Sequence, residues 1–410
     1  MLKKALRAVS PDRAAFTVLA KVLERAVKYG TLVVLDPWNG RHEFGTGTRP
    51  FATVRLTDPE VPARLLASPS LRAGEAYMDG DLILQDGSLR DFLLIAVAAA
   101  EALTKEAQTL RSFAAQVQRL QRHNPVERAR DNVAHHYDLS KDLYKLFLDE
   151  DLQYSCAYFQ TGAETLDEAQ MKKRRHLAAK LCLEPGARVL DIGSGWGGLA
   201  LDLARNHGVE VDGLTLSKEQ LALAQKRARE ESLDDRVRFH LQDYRHSSGI
   251  FDRIVSVGMF EHVGVPHFGE FFDVVRRRLA PDGLAVIHAI GHRNPPGDSD
   301  PWIDKYIFPG GYCPSLSEVL ASVEKNDLWV TDVEILRLHY AETLRHWSER
   351  FQARRAQAAA LYDERFCRMW EYYLAVCEAA FRVGGLMVFQ IQLARQPTAA
   401  PLTRDYMVHT

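Results

Sequence analysis

Cysteine is scarce in this sequence, and its placement argues against two kinds of site. Five cysteines occur among 410 residues: Cys156, Cys182, Cys313, Cys367 and Cys377. Their number is odd, they are scattered, and no two form a Cys-x-x-Cys pair, which argues against a disulfide framework or a zinc site. A reducing, cytoplasmic environment is therefore expected.

Long apolar runs and a strong net charge are also missing. The longest apolar run, FLLIAVAAA at 92–100, is far shorter than the roughly 20 residues that cross a bilayer, and no signal-peptide pattern is visible. The net charge is −2, no extended polar block occurs, and 46% of the residues are hydrophobic. We expect a chain that is folded nearly throughout, is not integral to a membrane and has more than one domain.

The first 30 residues are basic. They hold only two acidic residues, Asp12 and Glu24. The seven basic residues are Lys3, Lys4, Arg7, Arg13, Lys21, Arg25 and Lys28. This excess of positive charge is typical of a segment that lies on anionic phospholipid, and it is equally typical of a solvated helix face. The sequence leaves both interpretations open.

The residue pattern divides the chain into three parts. Residues 1–100 mix short strand-like runs, such as TLVVLD and ATVRLTD, with turn signals, which predicts a small α+β domain. Residues 101–123 have helical periodicity and predict a connecting helix, within a helical linker that spans 101–127. From 128 to 410 strands and helices alternate, which predicts a parallel sheet with helices on both faces. The late run LMVFQIQLAR at 386–395 predicts a strand added at the edge of that sheet.

A glycine turn follows the first strand of the third part. In VLDIGSGWGG (189–198), Gly193, Gly195 and Gly198 satisfy Gly-x-Gly-x-x-Gly, a turn that dinucleotide enzymes also use. Asp191 lies two residues before Gly193 and produces the Asp-x-Gly-x-Gly-x-Gly form that is typical of S-adenosylmethionine enzymes. No lysine follows the glycines, so this is not a P-loop.

The next two strands distinguish the nucleotide further. The second strand ends in GLTLS, without an acidic residue at its tip for a ribose diol. Thr215 and Gln220 can hydrogen-bond the ribose there instead. Asp243 and Tyr244 follow the third strand, where an adenine would lie. These features favour S-adenosylmethionine over a dinucleotide.

Long ordered motifs make residues 128–350 resemble the cyclopropane fatty acid synthases, which include the mycolic acid cyclopropane synthases. The matching stretches are AHHYDLSKDLYKLFLDEDLQYSCAYF (134–159), LDIGSGWGG, GLTLSKEQ, FDRIVSVGMFEHVG, KYIFPGG (305–311) and HYAETLRHW (339–347). GEAYMDGDL (74–82) is similar to the accessory domain of the branch that acts on phospholipids. The resemblance implies a Rossmann-like class I methyltransferase fold with a smaller, lipid-engaging N-terminal α+β domain. It further implies a homodimer that lies against the inner face of the membrane, without a nucleic-acid partner.

The resemblance also implies two sets of site residues. The cofactor set is Tyr154, Ser155, Asp191, Gly193, Gly195, Thr215, Gln220, Asp243 and Tyr244. Within it the tyrosine and serine at 154–155 would hold the methionine end, the glycines would approach the cofactor closely, and the last four would contact ribose and adenine. The second set would bind a bicarbonate ion, and it is Cys156, Glu261, His288, Ile290 and Tyr340, with backbone groups from the cysteine and the isoleucine. No metal ligand is expected.

The implied substrate explains why a methyltransferase needs such an anion. The cis double bond of an acyl chain has no proton that a base could remove before methyl transfer, so positioning of the sulfonium supplies most of the rate. A base is needed only afterwards, when the carbocation loses a proton to close the ring. Glu261, His288 and Tyr340 would orient that base, His262 would mainly anchor its loop, and Cys156 would not act as a nucleophile.

Several alternatives stay open at this point. The same cation could end as a methyl or methylene branch rather than a ring. A non-catalytic lipid-binding module and a small-molecule O- or N-methyltransferase are further hypotheses. Neither of those two accounts for the filled anion set.

Overall fold

The structure is a computed structural model that describes residues 10–107 and 140–408. These residues form two compact units. The first contains 10–107, Asp300–Ile307 and Arg355–Gly384, and the second contains 140–299, Phe308–Arg354 and 385–408. Two segments of the expected catalytic span 128–410 thus cluster with the N-terminal unit. Local sequence pattern cannot reveal this, because it carries no information on which distant elements pack together.

The described residues contain eleven β-strands and fourteen α-helices. The strands are β1 (Thr31–Leu35), β2 (Arg41–Gly45), β3 (Phe51–Leu56), β4 (Leu82–Asp86), β5 (Arg188–Ile192), β6 (Glu210–Thr215), β7 (Val237–Leu241), β8 (Phe251–Val257), β9 (Leu279–His292), β10 (Trp329–Leu336) and β11 (Leu386–Ala394). The helices are α1 (Pro11–Ala26), α2 (Val61–Ala67), α3 (Pro69–Asp79), α4 (Leu89–Ala107), α5 (Lys141–Phe147), α6 (Leu166–Leu181), α7 (Gly198–His207), α8 (Lys218–Glu230), α9 (Phe268–Arg278), α10 (Pro301–Tyr306), α11 (Leu316–Lys325), α12 (His339–Ala353), α13 (Arg355–Leu361) and α14 (Glu364–Arg382).

The first unit is built on a four-stranded mixed sheet of order β2-β1-β3-β4. Strand β1 pairs antiparallel with β2 and parallel with β3. Gly74 of α3 lies so close to the buried indole of Trp302 that a Cβ there would be 2.3 Å from its Nε1. That contact is one reason for a glycine in GEAYMDGDL. Helix α4 ends at Ala107 and includes the first residues of the predicted connecting helix, whose remainder lies outside the described residues.

The second unit is built on a seven-stranded sheet of order β10-β11-β9-β8-β5-β6-β7. The five strands from β9 to β7 pair in parallel. The predicted Rossmann-like sheet is therefore confirmed. In such a sheet ligands bind beyond the carboxyl ends of the strands, which directs attention to the loops after β5, β6, β7 and β8.

The predicted edge position of the strand at 386–395 is wrong. Strand β11 lies inside the sheet, antiparallel to β9 on one side and to β10 on the other. Val388, Phe389, Ile391 and Leu393 have no exposed surface, as an interior strand covered on both faces requires. The edge is occupied by β10, which the sequence pattern had not indicated.

Within residues 10–107 and 140–408, no helix is both long enough and apolar enough to cross a bilayer.

Candidate active site

The glycine turn connects β5 to α7 and uses its glycines in two different ways. Gly193 has φ +91°, and a Cβ there would lie 2.8 Å from the Cβ of Met259, so this glycine lets the loop after β8 pack closely. Gly195 has φ +54°, and no described atom lies within 4 Å of where its Cβ would be. Both need the left-handed backbone that glycine adopts without strain. Of these two glycines, only Gly195 has open space where a Cβ would lie.

All nine residues of the predicted cofactor set line one cleft at this turn. The cleft is open to solvent and contains about 1210 Å³ of empty space, counting its open mouth. The nine residues come from the loop before α6, the end of β5 and the turn after it, the end of β6 and the start of α8, and the loop after β7. The sequence-predicted set is thus brought together at the carboxyl edge of the sheet.

A buried lysine supports the segment predicted to hold the methionine end. The Nζ of Lys173 donates to Ser155 Oγ at 2.8 Å and to Gln153 Oε1 at 2.7 Å. Lys173 has no exposed surface, and burial lowers its pKa to about 8. Tyr154 stacks on Trp347 with ring centroids 5.1 Å apart. Sequence reasoning missed Lys173, since nothing in α6 distinguishes it from solvated lysines.

The two residues predicted to reach the ribose are hydrogen-bonded to each other. The hydroxyl of Thr215 donates to Gln220 Oε1 at 2.7 Å and accepts the N–H of Ser217 at 3.1 Å. The hydroxyl proton of Thr215 is therefore engaged within the protein. The hydrogen bond from Thr215 orients the Gln220 side chain. The amide nitrogen of Gln220 is then the group of these two residues that can donate to a ribose.

The predicted adenine pair depends on a third residue that the sequence did not indicate. Arg245 donates to Asp243 from its backbone N–H and from Nε, both at 2.9 Å, and from a terminal nitrogen at 2.8 Å. Burial raises the pKa of Asp243, but these hydrogen bonds outweigh it and leave the pKa below its usual range. Tyr244 packs edge-on against Phe271 at 5.3 Å. Asp243 is thus a fixed, ionised acceptor at the cleft.

Asp191 is a buried carboxyl with an unused oxygen. It is only 2% exposed, and its Oδ2 has no hydrogen-bond partner among the described residues. Burial raises its pKa to about 7, against the opposing charge of Lys173. A buried acceptor without a partner is costly unless a ligand satisfies it. A cationic group, such as the ammonium or sulfonium of S-adenosylmethionine, fits this position.

We expect proton release when S-adenosylmethionine binds near neutral pH. A nearby cation favours the ionised carboxylate and lowers its pKa, so Asp191 loses a proton on binding and the affinity increases as pH rises through 7. Below that pH the affinity should fall, approaching about tenfold per pH unit. Calorimetry in buffers of different ionisation enthalpy at pH 6, 7 and 8 measures this, with Asp191→Asn as the comparison. Because the cofactor's own titration is common to both proteins, an identical pH dependence would contradict the assignment.

Glu261 lies in a short 3₁₀ turn, Phe260–His262, after β8. Its Oε1 accepts the N–H of Ile290 at 2.6 Å, and its backbone carbonyl accepts the N–H of Tyr312 at 2.9 Å. Its Oε2 is buried and has no partner within the described part of the chain. Burial raises its pKa to about 7, opposed by the Ile290 hydrogen bond. The Ile290 N–H thus serves Glu261, and one carboxyl oxygen is left for a ligand.

His288 and Ile290 lie two residues apart on β9 and so share a face of the sheet. His288 is 2% exposed, and its Nδ1 lies 3.1 Å from the amide nitrogen of Gln390 on β11. Burial, together with the charges of Lys173 and Lys180, lowers the pKa of His288 well below its usual range. The imidazole is therefore neutral.

The residue after Cys156 is hydrogen-bonded to α12, the helix that carries Tyr340. The Cys156 thiol donates to the carbonyl of Ala157 at 3.3 Å, and burial raises its pKa, so it remains a neutral thiol. The Ala157 N–H donates to Thr343 Oγ1 at 3.0 Å. Tyr340, one turn earlier on α12, packs edge-on against Trp347 at 5.7 Å. The thiol chemistry agrees with a backbone role for Cys156.

His262 lines the cofactor cleft, whereas Glu261 does not. Burial lowers the pKa of His262 to about 4, and its ring lies 6.2 Å from that of Phe308. An uncharged ring in this wall agrees with a packing role. His135 and His136, the two histidines of the motif that begins at residue 134, lie outside the described residues.

Among the residues that the structure describes, no group of His, Cys, Asp or Glu has the arrangement of a metal site.

Comparison with known proteins decides the family. The model of the mycolic acid cyclopropane synthetase family matches residues 124–391. The chain belongs to this family. The chain is 41% identical over 345 residues to the cyclopropane-fatty-acyl-phospholipid synthase of Escherichia coli K12. This match covers 84% of the chain and 88% of the E. coli protein. The chain is 38% identical over 391 residues to the probable fatty acid methyltransferase of Pseudomonas putida, covering 91% and 95%.

Solved structures of the cyclopropane synthetase family agree. The mycolic acid cyclopropane synthase CmaA1, complexed with SAH and CTAB, has a TM-score of 0.61 and 36% identity, over 64% of this chain and 97% of that one. The predicted class I methyltransferase fold and the predicted family are confirmed. This family member is an S-adenosylmethionine-dependent methyltransferase of the cyclopropane synthase type.

Proposed function

We propose that the protein transfers the methyl group of S-adenosylmethionine to a cis double bond of a phospholipid-bound acyl chain and closes a cyclopropane ring. The observation that carries this proposal is Glu261, a buried carboxyl with one oxygen bound to the chain and the other unused. An amine or hydroxyl acceptor can lose its proton to a base before methyl transfer, whereas an alkene needs a base only afterwards, when the carbocation loses a proton. The identity to the E. coli synthase supports the phospholipid substrate.

The cleft residues supply positioning. An isolated alkene is a weak nucleophile, so the rate depends on holding the sulfonium in line and close to it. Lys173 fixes the Ser155 side chain, and Arg245 fixes the carboxylate of Asp243. The Oδ2 atom of Asp191 has no partner among the described residues and can contact the positive charge of the cofactor. In this proposal the cofactor is held at its two ends and at its positive charge. Burial of Cys156, Glu261 and His288 keeps the neighbouring site dry.

The anion set fits bicarbonate through three polar groups. Glu261 has a pKa of about 7, so near neutral pH it can donate as an acid or accept as a carboxylate. The neutral imidazole of His288 and the hydroxyl of Tyr340 are further donors. When bound, bicarbonate supplies negative charge for the carbocation and a base for the proton that is lost on ring closure. Glu261, His288 and Tyr340 hold and orient it and form no covalent bond.

A second candidate product is a methyl- or methylene-branched acyl chain. It is favoured by the P. putida relative, a probable fatty acid methyltransferase that matches over 95% of its length. The ring and the methylene branch both form from the same cation by loss of one proton, so both need a base, whereas a saturated methyl branch would need a hydride donor. The ring is favoured by the E. coli relative, a cyclopropane-fatty-acyl-phospholipid synthase that is 41% identical over 345 residues.

The test uses vesicles of defined cis-unsaturated phospholipid, incubated with the protein, S-adenosylmethionine and bicarbonate. We expect cyclopropane protons in the NMR spectrum of the extracted lipid and a lower rate in carbonate-depleted buffer. A saturated phospholipid vesicle is the matched control and should give no product. An olefinic methylene signal of the same added mass would replace the ring proposal with the branched one. Methylation of soluble amines or hydroxyls with none of the lipid would overturn both.

The setting that we propose is the cytoplasmic face of a membrane, with the protein as a homodimer. In the first unit Arg13, Lys21, Arg25 and Lys28 are exposed, and Val18 of α1 is 51% exposed. Basic and apolar side chains together suit an anionic lipid surface. Co-sedimentation that is lost with neutral vesicles, and light scattering of the free protein, measure the two parts of this proposal.

A further inference from the structure

His288 and Gln390 form a buried polar pair on two neighbouring strands of the seven-stranded sheet. They lie directly opposite each other in the antiparallel pairing of β9 with β11. Gln390 has no exposed surface, and its strand neighbours Phe389 and Ile391 are fully buried as well. A polar side chain in such surroundings is costly unless it is hydrogen-bonded. The hydrogen bond of Gln390 goes to His288, from Nε2 to Nδ1 at 3.1 Å, and Oε1 of Gln390 has no partner among the described residues.

The chemistry of this contact determines where the imidazole carries its proton. In the structure the amide nitrogen of Gln390 faces the ring, and because an amide nitrogen can only donate, Nδ1 of His288 accepts and bears no hydrogen in this orientation. A neutral imidazole has one N–H, which then belongs to Nε2. Burial keeps the imidazole neutral. An imidazolium would instead turn a second N–H toward the amide N–H and lose the contact.

We propose that Gln390 is a positioning residue that holds His288 in the Nε2–H tautomer, so that the imidazole offers a hydrogen-bond donor and not a base. The part that concerns the bound anion rests on the proposed function, but the tautomer does not. A donor at this position can hold an anionic oxygen, and it cannot take the proton that the carbocation releases. Proton removal is thereby left to the anion.

The neighbouring Gln392 is a matched control. It also lies on β11 and is fully buried, but its amide donates to the carbonyl of Lys180 at 2.6 Å and accepts from Thr331 at 2.7 Å. Its contacts hold α6 and β10 against the strand and do not reach His288. Replacing either glutamine by leucine removes one buried amide from the same strand.

The experiment is histidine ¹⁵N NMR on the whole protein without cofactor or lipid. The His288 signals are assigned by their absence in His288→Asn. We expect a single tautomer in the wild type, with Nε2 protonated and Nδ1 pyridine-like, and the same in Gln392→Leu. Gln390→Leu should show a mixture of both tautomers. A protonated Nδ1 in the wild type, or an unchanged tautomer in Gln390→Leu, would overturn the proposal. If Gln390→Leu does not fold, the wild-type spectrum decides.

Kinetics form the second arm. Partners that fix the tautomer of a histidine in metal sites are worth about 10- to 100-fold in activity, so kcat of Gln390→Leu should fall by that factor with an unchanged Kd for S-adenosylmethionine. Gln392→Leu should keep its kcat per folded molecule. Equal losses in both variants would show a purely structural role. Absence of lipid product from the wild type would remove the proposed function and leave the tautomer assignment standing on its spectrum.

Discussion

Glu261→Gln should lower kcat by about 100-fold or more and leave the Kd for S-adenosylmethionine within about twofold of the wild type. The amide oxygen of glutamine can still accept the Ile290 N–H that Glu261 Oε1 now accepts at 2.6 Å, so the loop after β8 keeps its support. The unused Oε2 is lost as an acceptor, and the amide cannot exchange a proton. Glu261 also lies outside the cofactor cleft. Turnover kinetics and calorimetry measure the two quantities separately.

Glu164→Gln is the matched control for this experiment. Glu164 is as little exposed as Glu261, 8% in both cases, and belongs to the same unit. Its carboxylate accepts a hydrogen bond from the Thr161 N–H at 2.9 Å and forms an ion pair with Lys172. Glu164 does not line the cofactor cleft. We expect a lower thermal midpoint and an unchanged kcat. If Glu261→Gln weakened cofactor binding as strongly as turnover, the division into a cofactor set and an anion set would be wrong.

Gly195→Val should abolish measurable binding of S-adenosylmethionine, which we place at a loss of about 100-fold or more in affinity. Gly195 lines the cleft, and the space where its Cβ would lie holds no described atom within 4 Å. A branched side chain would fill the room that the cofactor needs. The φ of +54° adds a backbone cost of roughly 1–2 kcal/mol for a non-glycine residue. Calorimetry on the folded variant measures the affinity.

Gly186→Val separates the backbone cost from the loss of space. Gly186 has φ +80° and open space around its Cβ position among the described residues, but it does not line the cleft. This variant should be less stable and should bind the cofactor normally. Weak binding by both valine variants would mean that strain alone explains the effect.

The structure gives a different physical reason for the expected effect of Gly193→Val on cofactor binding. From the sequence we expect this substitution also to abolish cofactor binding, by filling cofactor space. In the structure its Cβ would lie 2.8 Å from the Cβ of Met259 instead. A valine there displaces the loop that carries Glu261, two residues further on. Gly195, with Gly186→Val as the control for backbone strain, is therefore the position at which the loss of cofactor space can be tested.

The sequence by itself determined the family, the parallel sheet and the set of residues around the cofactor cleft. It could do so because each of these is encoded locally. Asp191, Gly193, Thr215 and Asp243 follow or end successive strands, and the carboxyl ends of parallel strands meet at one edge. Strand order and alternation alone then bring them together. The same reasoning located Glu261 at the end of β8.

The tertiary structure decided how the polar groups are paired and which elements are interior. Strand β11 became an inner strand because β10 covers its edge, and Lys173, Arg245 and Gln390 acquired roles that their sequence positions do not indicate. Each role depends on a partner that folding brings close, as when β11 places Gln390 beside a histidine 102 residues earlier in the chain. Burial then removes the competing water, and the partner determines the protonation state. Such pairings are long-range and low-dielectric, so no local pattern can encode them.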